Sequence, residues 1–160
     1  MRALITGAGV RLGRATALQL AQAGFDLTLH VHRSRDGAEA VAAEARALGR
    51  DVQILQADLS RPEDCARLAA ETLAAGPLDA LVNNAALYER RALAEITLAD
   101  WRDAAAERAT ILSTVPLARE GRALDIAAAV VFLITQAPYV TGHTLNVDGG
   151  RLVSQLSREG

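Results

Sequence analysis

The stretch Thr6-Gly7-Ala8-Gly9-Val10-Arg11-Leu12-Gly13-Arg14 is where this chain is best equipped to hold an anion. Ala3, Leu4 and Ile5 before it form a short apolar run without alternation, as in a strand covered on both faces. Gly7, Gly9 and Gly13 let a backbone turn sharply or come close to a ligand with no Cβ in the way. Leu12 then opens a helical pattern. A strand, a glycine turn and a helix N-terminus leave free N–H groups and the positive end of a helix dipole aimed at one spot. Pyrophosphate is the usual occupant of such a turn. A turn that only lets strand and helix pack is the plainer alternative. The general dinucleotide fingerprint would put its third glycine at Leu12, where none stands.

The end of the second strand carries the next group, His30-Val31-His32-Arg33-Ser34. In two-nucleotide folds an acidic residue here takes the ribose hydroxyls of NAD, and a basic one admits the extra phosphate of NADP. No carboxylate stands in this run. Arg33 offers a planar fork for a phosphate, Ser34 a hydroxyl, and Arg11 is expected near the same corner. A solvated basic strand end is the alternative. His30 reads as a packed strand histidine and His32 as the cofactor neighbour. Three histidines and the single Cys65 show no metal-ligand spacing, so no metal is expected.

These groups need elements to position them, and the pattern supplies strands alternating with helices. The first helix runs from Leu12 to a stop at Gly24, with Leu12, Ala15, Thr16, Leu18, Gln19 and Leu20 in its pattern. Asp26–Val31 is the second strand. Ser34 is placed to cap a helix from Arg35 to Leu48, with Ala38, Val41, Ala42, Ala45 and Leu48 on one face. Val52–Gln56 is the third strand. Ser60-Arg61-Pro62-Glu63 has the form of a capping box, and its helix turns Cys65, Leu68, Ala69, Thr72 and Leu73 inward before Gly76-Pro77. Leu78–Val82 is the fourth strand. Such alternation predicts an α/β, Rossmann-type, doubly wound parallel sheet with helices on both faces and right-handed crossovers.

The second half is looser. Thr97-Leu98-Ala99-Asp100 is placed to cap a helix holding Trp101, and Ala104 to Gly121 shows no clear pattern. Leu124 to Thr135 predicts a helix that presents Ile126, Val130, Val131, Leu133 and Ile134. Thr144–Val147 is expected as a last short strand.

Composition excludes several classes. The chain has 160 residues, the length of a single domain, and is 51% hydrophobic. A net charge of −2 gives no electrostatic case for nucleic acid or an anionic membrane. All seventeen basic residues are arginine, so every chemistry that needs a lysine is removed. With no Gly-Lys-Ser/Thr loop, phosphotransfer is disfavoured. Cys65 falls in a helix and reads as a small boundary residue. The longest apolar run, Ala123 to Ala137, is interrupted by Asp125 and Gln136 and too short to span a bilayer. No signal peptide precedes the first strand, so a soluble, cytoplasmic protein is expected.

Thr6-Gly7, five residues and then Gly13 resembles the short-chain dehydrogenase/reductase family, although the family usually has a glycine where Arg11 sits. Arg11-Leu12-Gly13, with His32-Arg33-Ser34, resembles its pteridine-reductase-like branch; the ketoacyl-reductase-like branch is the other similar one. The resemblance implies NADP(H) as cofactor. It further implies that Asp58-Leu59 receives the adenine, and that Asn83-Asn84-Ala85-Ala86, close to the family's Asn-Asn-Ala-Gly, lets backbone approach the nicotinamide ribose. Alone, each could be an ordinary turn. Pro116 to Arg119 and Tyr139 to Gly150 look like the family's closing segments. The cofactor-binding set implied is Gly7, Arg11, Leu12, Gly13, His32, Arg33, Ser34, Asp58, Leu59, Asn84, Ala85 and Ala86.

The resemblance implies hydride transfer to a carbonyl or imine of a small, carbonyl or pterin-like substrate, in a homo-oligomer (dimer or tetramer). It runs from Arg2 to about Trp101 and again from about Glu107 to Gly150. The family's catalytic Ser, Tyr and Lys belong between Trp101 and Pro116 and are absent, so no catalytic residue is assigned. Tyr139 has no lysine four places on and reads as structural; Tyr88 could border a substrate pocket. Two explanations stand. A segment of a longer protein is missing near 104–108 of one dinucleotide-binding domain, or the chain is short and is a truncated, non-catalytic NADP-binding module. Helices whose sequence expects more apolar cover favour the first.

Overall fold

The computed structural model describes residues 1–86, 106 and 108–152. The chain divides into two compact units, Met1–Ala86 with Ala123–Val140, and Leu87–Arg122 with Thr141–Gly160. The first holds β1 (Arg2–Ile5), α1 (Arg11–Gln22), β2 (Asp26–Val31), α2 (Arg35–Ala47), β3 (Val52–Gln56), α3 (Pro62–Ala74) and β4 (Ala80–Val82). A short helix at 108–113, α4, belongs to the second unit. The helix α5 (Ala123–Thr135) returns to the first.

The sheet has the order β3-β2-β1-β4, and all three pairings are parallel. From β1 the chain winds outward to β2 and β3, then returns to the other side of β1 as β4. That reversal makes the crevice beyond the carboxyl ends of β1 and β4 the place where a doubly wound sheet takes its ligand. Alternation along the strands divides the core. Ala3, Ile5, Leu27, Leu29 and Val52 face Ala17, Leu20 and Ala21 of α1 and Val41, Ala42 and Ala45 of α2, with Val131 and Ile134 of α5 packed against them. Leu4 faces the other way, toward Leu68 of α3, Ala57 and Leu55.

The expected bounds of β2 and β3 agree with the structure, and Gly24, Gly49 and Gly76 all have the left-handed φ that closes a helix. Other expectations need correction. The box at Ser60-Glu63 does not form, because the Ser60 hydroxyl and N–H both donate to the nearer Asp58 Oδ1, at 2.7 and 3.0 Å. Ser34 stands at the cap position of α2 but its side chain makes no cap bond. Leu48 is an exposed C-cap, and Ala69 and Leu73 point outward. Of the residues expected inward on α3, Leu68 and Thr72 are buried and Cys65 is half-buried.

Of the residues expected inward on α5, Ile126, Val130, Val131 and Ile134 are half-buried and Leu133 is exposed. Thr144–Val147 is not a strand; a strand needs a ladder partner, and these exposed residues have none among the described ones. The helix at 108–113 went unread because its sequence lacks a repeating apolar face. Thr97–Asp100, Trp101, Tyr88 and most of 104–108 lie outside the described residues.

Within the second unit, Leu117 N–H donates to the Gly149 carbonyl at 3.2 Å, and Arg108 pairs with Glu120. Asp148 accepts the N–H groups of Gly150 and Leu152, which hold its carboxyl below the usual range. Tyr139, in the first unit, is fully exposed and supports no core.

Candidate coenzyme site

The site is assembled at the carboxyl ends of β1, β2, β3 and β4. Gly7, in the turn after β1, has a φ of +66°, a conformation that a side chain would strain. Gly13 lies under the turn. A Cβ there would meet the Gly7 carbonyl oxygen at 2.2 Å and Asn84 Nδ2 at 2.6 Å, so only glycine fits. The first turn of α1 has no side-chain cap and no acidic residue. Its N–H groups, on Arg11, Leu12 and Gly13, therefore keep their capacity for an anion.

The turn is clamped from two sides. From β4, Asn84 Nδ2 donates to the carbonyls of Thr6 (2.9 Å) and Gly7 (3.2 Å), while the N–H groups of Asn84 and Ala85 donate to Thr6 Oγ1, both at 2.9 Å. From β2, His30 Nδ1 accepts the Gly7 N–H at 3.2 Å, and the His30 carbonyl accepts Ala8 N–H at 3.0 Å. Ala85 backs Gly7 closely, and Ala86 is exposed beyond it.

At the end of β2, Arg33 and the Ser34 hydroxyl are without a hydrogen-bond partner among the described residues. Every other described arginine except Arg11 has a partner, as Arg35 has Glu39 and Arg14 has Glu44. Among the described arginines, Arg11 and Arg33 are thus the two without a partner. Arg11 adopts a φ of +50° and lines a shallow groove with Arg14, Leu18, Gln22 and Leu124, and no hydrogen bond or ion pair joins it to Arg33 or Ser34.

His32 and Asp58 come together: Nε2 lies 3.8 Å from Asp58 Oδ2. Hydrogen bonds from the hydroxyl and the N–H of Ser60 hold the Asp58 carboxyl below the usual range, and the nearby His32 adds to this. Asp58 N–H is itself tied to Asp64 at 2.8 Å. Leu59 stands beside it, exposed. Among the described residues no group of His, Cys, Asp and Glu could hold a metal.

Two contributors escaped the sequence reading. Thr6 is a hydrogen-bond hub, signalled only as the residue before Gly7. Gly37, inside α2, lets that helix press on the turn: a Cβ on it would meet the Gly9 carbonyl oxygen at 2.4 Å.

The short chain dehydrogenase profile matches residues 1–119. A 3-oxoacyl-[acyl-carrier-protein] reductase from Aggregatibacter actinomycetemcomitans is 42% identical over 99 residues, 61% of this chain and 41% of that protein. The chain thus spans about two fifths of the length of the curated relatives it matches. Among solved structures, a short chain dehydrogenase from Burkholderia cenocepacia in complex with NADP superposes with a TM-score of 0.81 at 23% identity, over 94% of this chain and 97% of that one. A blue fluorescent protein from a metagenomic library, in complex with NADPH, gives 0.76 at 22%, over 94% and 97%. These likenesses show a Rossmann-type α/β fold. No helix among the described residues is long and apolar enough to cross a membrane. With the glycine turn, the switch point and the profile in agreement, this chain belongs to the short-chain dehydrogenase family of oxidoreductases.

Proposed function

We propose that this chain binds NADP(H) and forms the coenzyme-holding part of a cytoplasmic, homo-oligomeric short-chain reductase that acts on a carbonyl or imine of a small substrate. The observation that carries this reading is the guanidinium of Arg33 next in the chain to the Ser34 hydroxyl at the end of β2, neither with a hydrogen-bond partner among the described residues, and no carboxylate in the run to repel a phosphate. Gly7, Arg11, Leu12 and Gly13 would hold the pyrophosphate, and His32, Arg33 and Ser34 the adenosine-side phosphate. Asp58 and Leu59 would take the adenine, and Asn84, Ala85 and Ala86 the nicotinamide ribose. The coenzyme, when bound, supplies the hydride. The likeness to the 3-oxoacyl reductase supports a keto substrate; Arg11-Leu12-Gly13 and His32-Arg33-Ser34 support a pterin-like one.

A second reading is favoured by one fact. The family protonates its substrate with a Tyr whose pKa a nearby Lys lowers, and this chain has no lysine. It would then be a non-catalytic NADP-binding module. The test is titration of the chain with adenosine 2′,5′-bisphosphate and with AMP, followed by a search for NADPH oxidation with keto substrates. Preference for the bisphosphate supports the site; equal affinity for both refutes it. Turnover without a lysine would retire the module reading.

A further inference from the structure

We propose that His30 holds the glycine turn in the form that receives the coenzyme, and releases it when the ring is protonated. This rests on the coenzyme reading for its purpose, but its geometry stands apart from it. His30 is 1% exposed, on the face of β2 opposite Leu27 and Leu29. Both ring nitrogens are engaged. Nε2 lies 3.1 Å from the Ala57 carbonyl, which can only accept, so Nε2 carries the hydrogen. Nδ1 is then bare, and it accepts the Gly7 N–H at 3.2 Å.

The partners therefore select one neutral tautomer. One residue also secures two consecutive N–H groups of the turn, since its own carbonyl takes that of Ala8. A second proton on Nδ1 would set donor against donor at Gly7. The turn, whose φ of +66° puts it in the left-handed region, would have to move. Burial pushes the ring's pKa down, the Ala57 hydrogen bond pulls it up, and the charge of His32 pushes it down further. Among the described residues, the titratable and charged groups nearby are His32 just after β2, Asp58 after β3, and Asp64 and Arg67 on α3. The neutral, gripping form thus persists from high pH through the ordinary histidine midpoint of about 6.5, and is lost only as pH falls through the lowered midpoint of the folded chain.

Labelled apo-chain NMR from pH 8 to 5 tests this without the coenzyme. The His30 ring is expected as the Nε2–H tautomer, and the Gly7 amide shift is expected to follow the His30 midpoint, including in a His32→Asn background. NADPH affinity is expected to be flat above that midpoint and to fall about tenfold per pH unit below it, as one linked proton requires. In His30→Asn the amide oxygen can replace Nδ1, so affinity at pH 8 should stay within a few-fold and the acid fall should vanish. His30→Leu leaves the Gly7 N–H unpaired and should weaken NADPH by about tenfold to hundredfold at pH 8. An Nδ1–H tautomer, or a Gly7 amide indifferent to the His30 titration, overturns the proposal whether or not His30→Leu folds. If no nucleotide binds at any pH the coenzyme reading fails, and the Gly7 titration still decides the role of His30.

Discussion

On the β2 side of the sheet every residue from Leu27 to Val31 is buried, and α2 places Ala38, Val41, Ala42 and Ala45 against the core. On the β4 side the strand has three residues and Leu81 is 54% exposed; on α3, which packs through Leu68 against Leu4, Leu55 and Ala57, Leu73 is 60% exposed. α5, apolar along nearly its whole length, buries Ala127 and leaves Leu124 and Phe132 about half exposed. A helix of that character belongs in a core. The two sides thus differ in completion: one is covered by its own chain, and the other carries apolar sequence that the described residues do not cover. The groups proposed for the adenosine end lie at β2 and β3, the covered side. The groups proposed for the nicotinamide end lie at β4, where the cover stops.

Mutations can sharpen that contrast. The largest stability effect is expected from Phe25→Ala, on the covered side: Phe25 is 1% exposed, and its truncation should cost about 3–5 kcal/mol, read from the urea midpoint. Next is Gly13→Ala. Its Cβ would strike a backbone oxygen, so a loss of about 1–3 kcal/mol and abolished NADPH binding are expected. Leu73→Ser and Leu81→Ser should each move stability by less than about 0.5 kcal/mol while raising solubility. A core-sized loss at Leu81 would erase the contrast between the two sides.

The sequence announced the covered side well. Gly24 and Gly49 punctuate β2 and β3, and the apolar face of α2 is regular, so local pattern and tertiary packing agree there. It misled where partners decide. Leu73 and Ala69 lie on a face that looks inward by periodicity, yet what would cover it is not among the described residues. Thr144–Val147 has strand composition but no ladder partner among the described residues. Ser60 chose the nearer Asp58 over the box with Glu63. Gly37 carries no signal in the local pattern, and the close approach of α2 to Gly9 explains it. In the candidate site, Arg33 and Ser34 are proposed from residue type alone, whereas the grip of His30 on Gly7 joins residues 23 positions apart and required the fold.

The central claim is that the end of β2 reads the extra phosphate of NADP. Titrating Arg33→Asp with NADPH and NADH tests it most directly, because the substitution sets a carboxylate where the phosphate would lie. NADPH should weaken by about tenfold to hundredfold, the worth of charge-assisted hydrogen bonds, with NADH unchanged or tighter. An equal loss for both nucleotides, or none for either, would contradict it.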